Sequence, residues 1–168
     1  MSEKKWYAIY TRPRFEKKAE KYLNQRNISC YLPLIKTMRQ WSDRKKLVEL
    51  PLFSSYIFVY ITNKDHVNVL KAPGVVKYVS FEGKAVEIPE KQIENIRWLL
   101  STDVESDVIN ESITPGSQVE IIKGPLMGLK AEMVHYKNKN IIIIRLNQLD
   151  KSIGIQVPES HVKVITSI

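Results

Sequence analysis

Pro51-Leu52-Phe53-Ser54-Ser55-Tyr56-Ile57-Phe58-Val59-Tyr60-Ile61 is the stretch that decides the fold. After the Ser-Ser step it is nearly apolar on both alternating faces, which a strand tolerates where both faces of its sheet are covered. It is therefore predicted to be a central strand. Trp6-Tyr7-Ala8-Ile9-Tyr10-Thr11 is aromatic and β-prone and is predicted to lie beside it. Between the two, Phe15, Ala19, Tyr22 and Leu23 recur at i, i+4, i+7 and i+8, one face of a helix whose first turn suits Pro13. Residues 28–32 start another strand, and Trp41-Ser42-Asp43-Arg44 reads as a hairpin tip.

Downstream, residues 64–72 read as a short helix ended by Pro73-Gly74, and 75–81 as a strand followed by a Glu82-Gly83-Lys84 turn. Pro89 opens a helix whose apolar members are Ile93, Ile96, Trp98, Leu99 and Leu100. The character changes at 101–112, which holds Asp103, Glu105, Asp107 and Glu111 with no cation and no aromatic residue; it reads as an acidic linker. Beyond it, β-branched runs at 117–123, 131–136, 141–146, 153–157 and 162–165 suit a small barrel. The expected organisation is an α+β domain over 1–100, a linker over 101–112 and an all-β domain over 113–168.

A chain of 168 residues, 43% hydrophobic and 26% charged, buries a core as one large or two small domains. It has no apolar run of roughly 18–20 residues and its N-terminus lacks an apolar signal segment, so a soluble, cytoplasmic protein away from membranes is expected. Cys30, His66, His135 and His161 show no ligand spacing, so no metal is expected. Phosphate-binding glycine loops, GxSxG and HExxH are absent, and no cofactor or catalytic constellation is expected. Cys30, in an apolar strand, reads as a structural thiol, and each histidine as a surface or capping residue.

Charge is more telling. Residues 1–60 hold 13 Lys/Arg against 5 Asp/Glu, whereas 61–168 hold 13 of each, so the net +8 sits in the first third. A polyanion is expected to bind there, through Arg12, Arg14, Lys17, Lys18, Lys21 and Arg26 and the hairpin-tip residues Arg44, Lys45 and Lys46. Tyr10, Phe53 and Tyr56 are placed to converge at neighbouring strand ends. They read either as core packing or as the lining of an exposed apolar pocket for a partner helix.

Three motifs in order carry a family resemblance: the Trp6–Tyr10 strand with its basic helix and the 51–59 strand entry; Ala72-Pro73-Gly74-Val75-Val76; and Val119-Glu120-Ile121-Ile122-Lys123-Gly124-Pro125-Leu126-Met127-Gly128-Leu129-Lys130-Ala131. The chain resembles NusG-type transcription elongation factors, whose last motif of this set is the KOW motif. The resemblance implies an N-terminal NGN-like domain, an antiparallel sheet flanked by helices, followed by a small SH3-like KOW barrel. Ser54-Ser55 stands where the family has Pro-Gly, and Ala131 where the KOW glycine sits, implying a turn that tolerates a Cβ. Arg39-Gln40-Trp41-Ser42-Asp43-Arg44-Lys45-Lys46 before a Pro-Leu-Phe strand is most similar to the UpxY-like antiterminators, a specialised branch alongside RfaH.

The resemblance implies a binding protein rather than an enzyme, docked on the RNA polymerase clamp and suppressing pausing or termination. Its polymerase contacts would be Tyr10, Phe53 and Tyr56, with Trp6 and Tyr7 behind them. Arg12 and Arg26 match positions where RfaH meets non-template DNA. Tyr22 and Gln25 depart from its base-reading residues, and Asp65-His66-Val67 departs from its threonine-rich motif. Non-template DNA or nascent RNA, and a small-subunit ribosomal protein or Rho at the C-terminal domain, complete the implied partners. The β-branched residues and breakers of that domain favour the barrel over a helical hairpin. A KOW-containing RNA-binding or ribosome-associated protein is the competing reading.

Overall fold

The structure, a computed structural model, describes residues 2–165. Met1 and residues 166–168, at the ends of the two predicted domains, lie outside this range. The chain forms two compact units that divide between Ile93 and Glu94.

The first unit is built on strands β1 (Lys5–Thr11), β2 (Ser29–Tyr31), β5 (Tyr56–Ile61) and β6 (Val75–Tyr78), in the spatial order β2-β5-β1-β6. Every pairing is antiparallel, and β5 is central between β2 and β1. Two more strands, β3 (Leu34–Gln40) and β4 (Lys45–Pro51), form a separate hairpin whose tip is the predicted 41–44 segment. Ser80–Phe81 (β7) and Lys84–Ala85 (β8) make a small hairpin, and Glu87–Ile88 (β9) pairs with β1. Helices α1 (Glu16–Gln25) and α2 (His66–Leu70) of this unit, and α3 (Glu90–Leu100), whose residues from Glu94 on belong to the second unit, fall where periodicity places them.

Residue parity sorts the sheet's two faces. Tyr7 and Ile9 of β1 and Ile57, Val59 and Ile61 of β5 pack in one core with Ala19 and Leu23 of α1 and Val69 of α2. The alternate residues of the same two strands face the other way.

Pro13 does not open α1. The helix starts at Glu16, after Arg14 takes a left-handed φ of 68°. The loops after β1, before β5 and after α2 instead meet at the helix start. Thr11 N–H donates to Ser55 O and Arg12 N–H to Gly74 O, both at 2.8 Å, and Ser55 N–H donates to Glu16 Oε1 at 2.7 Å. Glu16 is 5% exposed and sits in the first turn, where the helix dipole favours an anion. Gly74 has φ 79°, and a Cβ there would lie 2.3 Å from Phe15 Cβ.

The second unit contains β10 (Ser106–Ile109), β11 (Ser117–Ile121), β12 (Lys130–Tyr136), β13 (Lys139–Leu146), β14 (Lys151–Ile155) and β15 (Val162–Val164). Their order is β10-β14-β13-β12-β11-β15, with antiparallel pairs throughout. Two sequence readings need correction here. The supposed linker carries β10 over Ser106–Ile109, where half-buried Ser106 and Val108 alternate with exposed Asp107, and the same alternation runs back through Glu105, Val104 and Asp103 ahead of the strand. Ala131 occupies no turn: it lies inside β12, buried, opposite Val119. The left-handed positions nearby are Gly124 (φ 89°) and Gly128 (φ 95°).

Candidate functional site

Register places Trp6 opposite Tyr60, Ala8 opposite Phe58 and Tyr10 opposite Tyr56. These three pairs form an aromatic stripe on the sheet face away from α1. Trp6 and Tyr60 meet at 5.0 Å between ring centroids, and Tyr10 and Tyr56 meet edge to face at 5.4 Å. Ala8 leaves room at the middle rung, where Phe58 packs against Tyr31 and Phe53. The stripe is closed in its middle, where Phe58 is fully buried, and open at the Tyr10 end.

At that end a cleft of about 370 Å³ is lined by Tyr10, Tyr56, Lys77, Tyr78, Val79 and Ser80. A β-bulge between Tyr10 and Thr11 shifts the β1–β6 register beside it. Burial holds the Tyr56 phenol above its usual pKa, and Tyr10 beside it adds to the effect. The cleft wall combines three tyrosine rings with Val79, Ser80 and one cation, Lys77.

Of the five aromatic residues singled out in the sequence, two line this cleft. Phe53 is 2% exposed, lies edge to face on Phe58 and does not reach the cleft. Trp6 and Tyr7 are buried on opposite faces. Tyr7 joins the helix side, edge to face with His66 at 4.8 Å. His66 is half-buried and caps the 63–65 turn at the start of α2; its ring stacks on Tyr78 at 4.9 Å, and Tyr78 donates its hydroxyl proton to His66 O at 2.8 Å. The 77–80 wall was not singled out, since nothing in its pattern separates it from an ordinary edge strand.

All nine cations named from the sequence are exposed. Arg12 and Arg14 occupy the loop before α1. Lys18 sits over the Phe15 ring at 5.1 Å, and Arg26 over Tyr22 at 3.5 Å. Lys17 donates to Glu49 O at 2.9 Å, joining α1 to the base of the β3–β4 hairpin. Arg44, Lys45 and Lys46 are at the hairpin's far end. The cations thus lie on α1 and its flanking residues and on the hairpin tip, with Lys17 linking the helix to the hairpin.

In the second unit Gly124 and Pro125 lie in the β11–β12 connection, and Pro125 O accepts the Trp98 indole N–H at 3.1 Å. No cluster of metal-ligating side chains occurs among the described residues. Burial pushes the Cys30 thiol up to about 11, aided by Glu20, which leaves it a poor nucleophile. None of the described helices is long and apolar enough to cross a membrane.

A family model described as "NusG: Transcription termination factor nusG" matches residues 4–97. A solved structure, "Domain interaction in Thermotoga maritima NusG", is 20% identical with a TM-score of 0.54, covering 98% of each chain. At that identity it supports the fold alone. A second, "Crystal Structure of MjSpt4:Spt5 complex conformation B", is 21% identical and covers 96% of this chain and 97% of its own, but its TM-score of 0.31 carries no argument.

Proposed function

The chain belongs to the NusG family of transcription elongation factors, and from that premise we propose that it docks on the RNA polymerase clamp and suppresses pausing or termination. The observation that carries this reading is the end of the aromatic stripe where half-exposed Tyr10 and Tyr56 wall a cleft. A cleft of that size, walled by tyrosine rings with polar tips, suits the side chains of an amphipathic partner helix laid across it. Tyr10 and Tyr56 are the contact residues; Phe53, Trp6 and Tyr7 support them from the core.

The exposed cations of α1 and the hairpin then face the nucleic acid of the elongation complex, non-template DNA or nascent RNA. The second unit is the KOW barrel, with β15 returning beside β11, and it recruits a small-subunit ribosomal protein or Rho. The domain division follows: an NGN-like domain, a segment that enters the second sheet through β10, and the barrel. The basic 39–46 hairpin favours a specialised, UpxY-like antiterminator over a general factor. No step of this work is catalytic, and its place is the cytoplasm, at the nucleoid.

The test is binding of the full chain to core RNA polymerase, with melting temperature measured in parallel. Tyr56→Ala and Tyr10→Ala are each expected to stay folded and lose about thirtyfold in affinity, roughly 2 kcal/mol for an aromatic hot spot. Folded variants that bind like wild type would move the contact elsewhere. A chain that binds RNA or ribosomes but no polymerase would favour the KOW-protein reading.

A further inference from the structure

The β3–β4 hairpin carries more than a run of cations. Its register sets Ile35 opposite Leu50, Thr37 opposite Val48 and Arg39 opposite Lys46, and Trp41 N–H donates to Arg44 O at 2.7 Å, extending the pairing to the tip. Paired residues share a face. One face therefore runs from half-buried Ile35 and Leu50, through the Arg39–Lys46 pair, to Trp41 and Arg44. Like charges placed directly opposite repel, so Arg39 and Lys46 leave the empty hairpin worse off than an anion between them would. Residues 36–46 hold five cations against one carboxylate, Asp43. Trp41 is 50% exposed among them, whereas Trp6 is buried and Trp98 donates its indole N–H to Pro125 O.

We infer that the hairpin tip binds a single strand of nucleic acid, one unpaired base stacking on the Trp41 indole while flanking phosphates meet Arg39, Lys46 and Arg44. An indole accepts any base face, and cations on either side track the backbone without reading sequence. A duplex offers the same phosphates but keeps its base faces stacked, so the indole supplies a preference for unpaired strands. The inference rests on the nucleic-acid part of the proposed function and is independent of the polymerase cleft.

The experiment titrates the full chain with a short labelled oligothymidylate, with the same strand in duplex, and with the matching RNA. Anisotropy reports binding, and tryptophan emission reports stacking. The expected result is tighter binding of single strand than duplex, with quenching of emission. Trp41→Ala is expected to weaken single-strand binding about tenfold and leave duplex binding nearly unchanged. Trp41→Phe is expected to keep most of the affinity and lose the quenching. Lys46→Gln is expected to lower the salt dependence while quenching persists. An unchanged melting temperature shows that each variant is folded. The RNA arm decides which strand is preferred; tighter binding of either one than of duplex supports the inference. Oligonucleotide bound with unaltered emission, or by Trp41→Ala as tightly as by wild type, overturns the stacking site and leaves the nucleic-acid reading standing. No binding of any strand overturns both.

Discussion

The two units fasten their loops by different means. In the first, three loops meet at the start of α1 through backbone hydrogen bonds and close packing: Gly74 lies under Phe15, and Ser55, at a left-handed φ of 70°, is held by Glu16. In the second, a charge pair gathers the chain. Glu132 accepts Gly116 N–H at 2.6 Å and Arg145 Nε and Nη2 at 2.9 Å, while Arg145 Nη1 donates to Ile113 O at 2.9 Å. The difference teaches where charge is available. The second unit, with no net charge to spare, spends a pair on its own architecture. The first holds its loops with backbone bonds, packing and one buried carboxylate, Glu16, and leaves its excess cations on the surface.

The comparison breaks hardest at Gly74. Gly74→Ala forces a Cβ into Phe15 and an unfavourable φ on the backbone, and is expected to destabilise the first unit by roughly 3 kcal/mol. Hydrogen exchange resolved by residue is the measurement. Protection should fall across β1, β5 and α1 and hold across β12 and β13. Equal losses in both units would mean that they do not hold themselves separately.

Arg145→Met probes the other side. It strands the Glu132 carboxylate, 9% exposed, with Gly116 N–H as its remaining bond. Breaking a fully buried pair costs about 3–5 kcal/mol; Arg145 is one-quarter exposed, so roughly 2 kcal/mol is expected, confined to the second unit. Acid gives an independent reading. The Arg145 hydrogen bond, and then Gly116 N–H, hold the Glu132 carboxyl below its ordinary 4.5. A carboxylate with a depressed folded pKa contributes stability above its unfolded value and loses it as pH falls through the folded one. The second unit of the wild type should therefore weaken below pH 4.5, and this acid sensitivity should shrink in Arg145→Met. Unfolding curves that keep the same acid slope in the variant would contradict the assignment.

The smallest effect is a gain. Ser55→Gly relieves a left-handed residue with a Cβ and is expected to stabilise the first unit by about 1 kcal/mol in denaturant unfolding, leaving the second unchanged. A loss would mean that the Ser55 side chain supplies more than its backbone costs.

Much of this was legible in the sequence, for stated reasons. Nearly continuous apolar character made 56–61 central, and helical spacing placed α1 on one sheet face. The hairpin tip was visible from its polar turn residues. The cleft was half legible. Tyr10 and Tyr56 stand out because tyrosines at strand ends keep a polar tip at the surface, but their edge-to-face contact follows from register, which needs the paired strand. Phe53 looks the same in sequence and differs only in depth. Charged residues hid β10, since Asp103, Glu105 and Asp107 read as a linker until their partners at 104, 106 and 108 are seen to turn inward. Glu16 and Ser55 were invisible as a pair, because their contact joins residues 39 apart in the chain.

The central claim is that the Tyr10–Tyr56 cleft is where this protein meets the transcription machinery. Its most direct test is transcription by purified core RNA polymerase on a template with defined pauses, comparing no factor, wild type and folded Tyr56→Ala at equal concentration. The account predicts that wild type shortens pause lifetimes and that Tyr56→Ala leaves them near the factor-free value until its concentration is raised about thirtyfold. Pauses shortened equally by both proteins at the same concentration would contradict it.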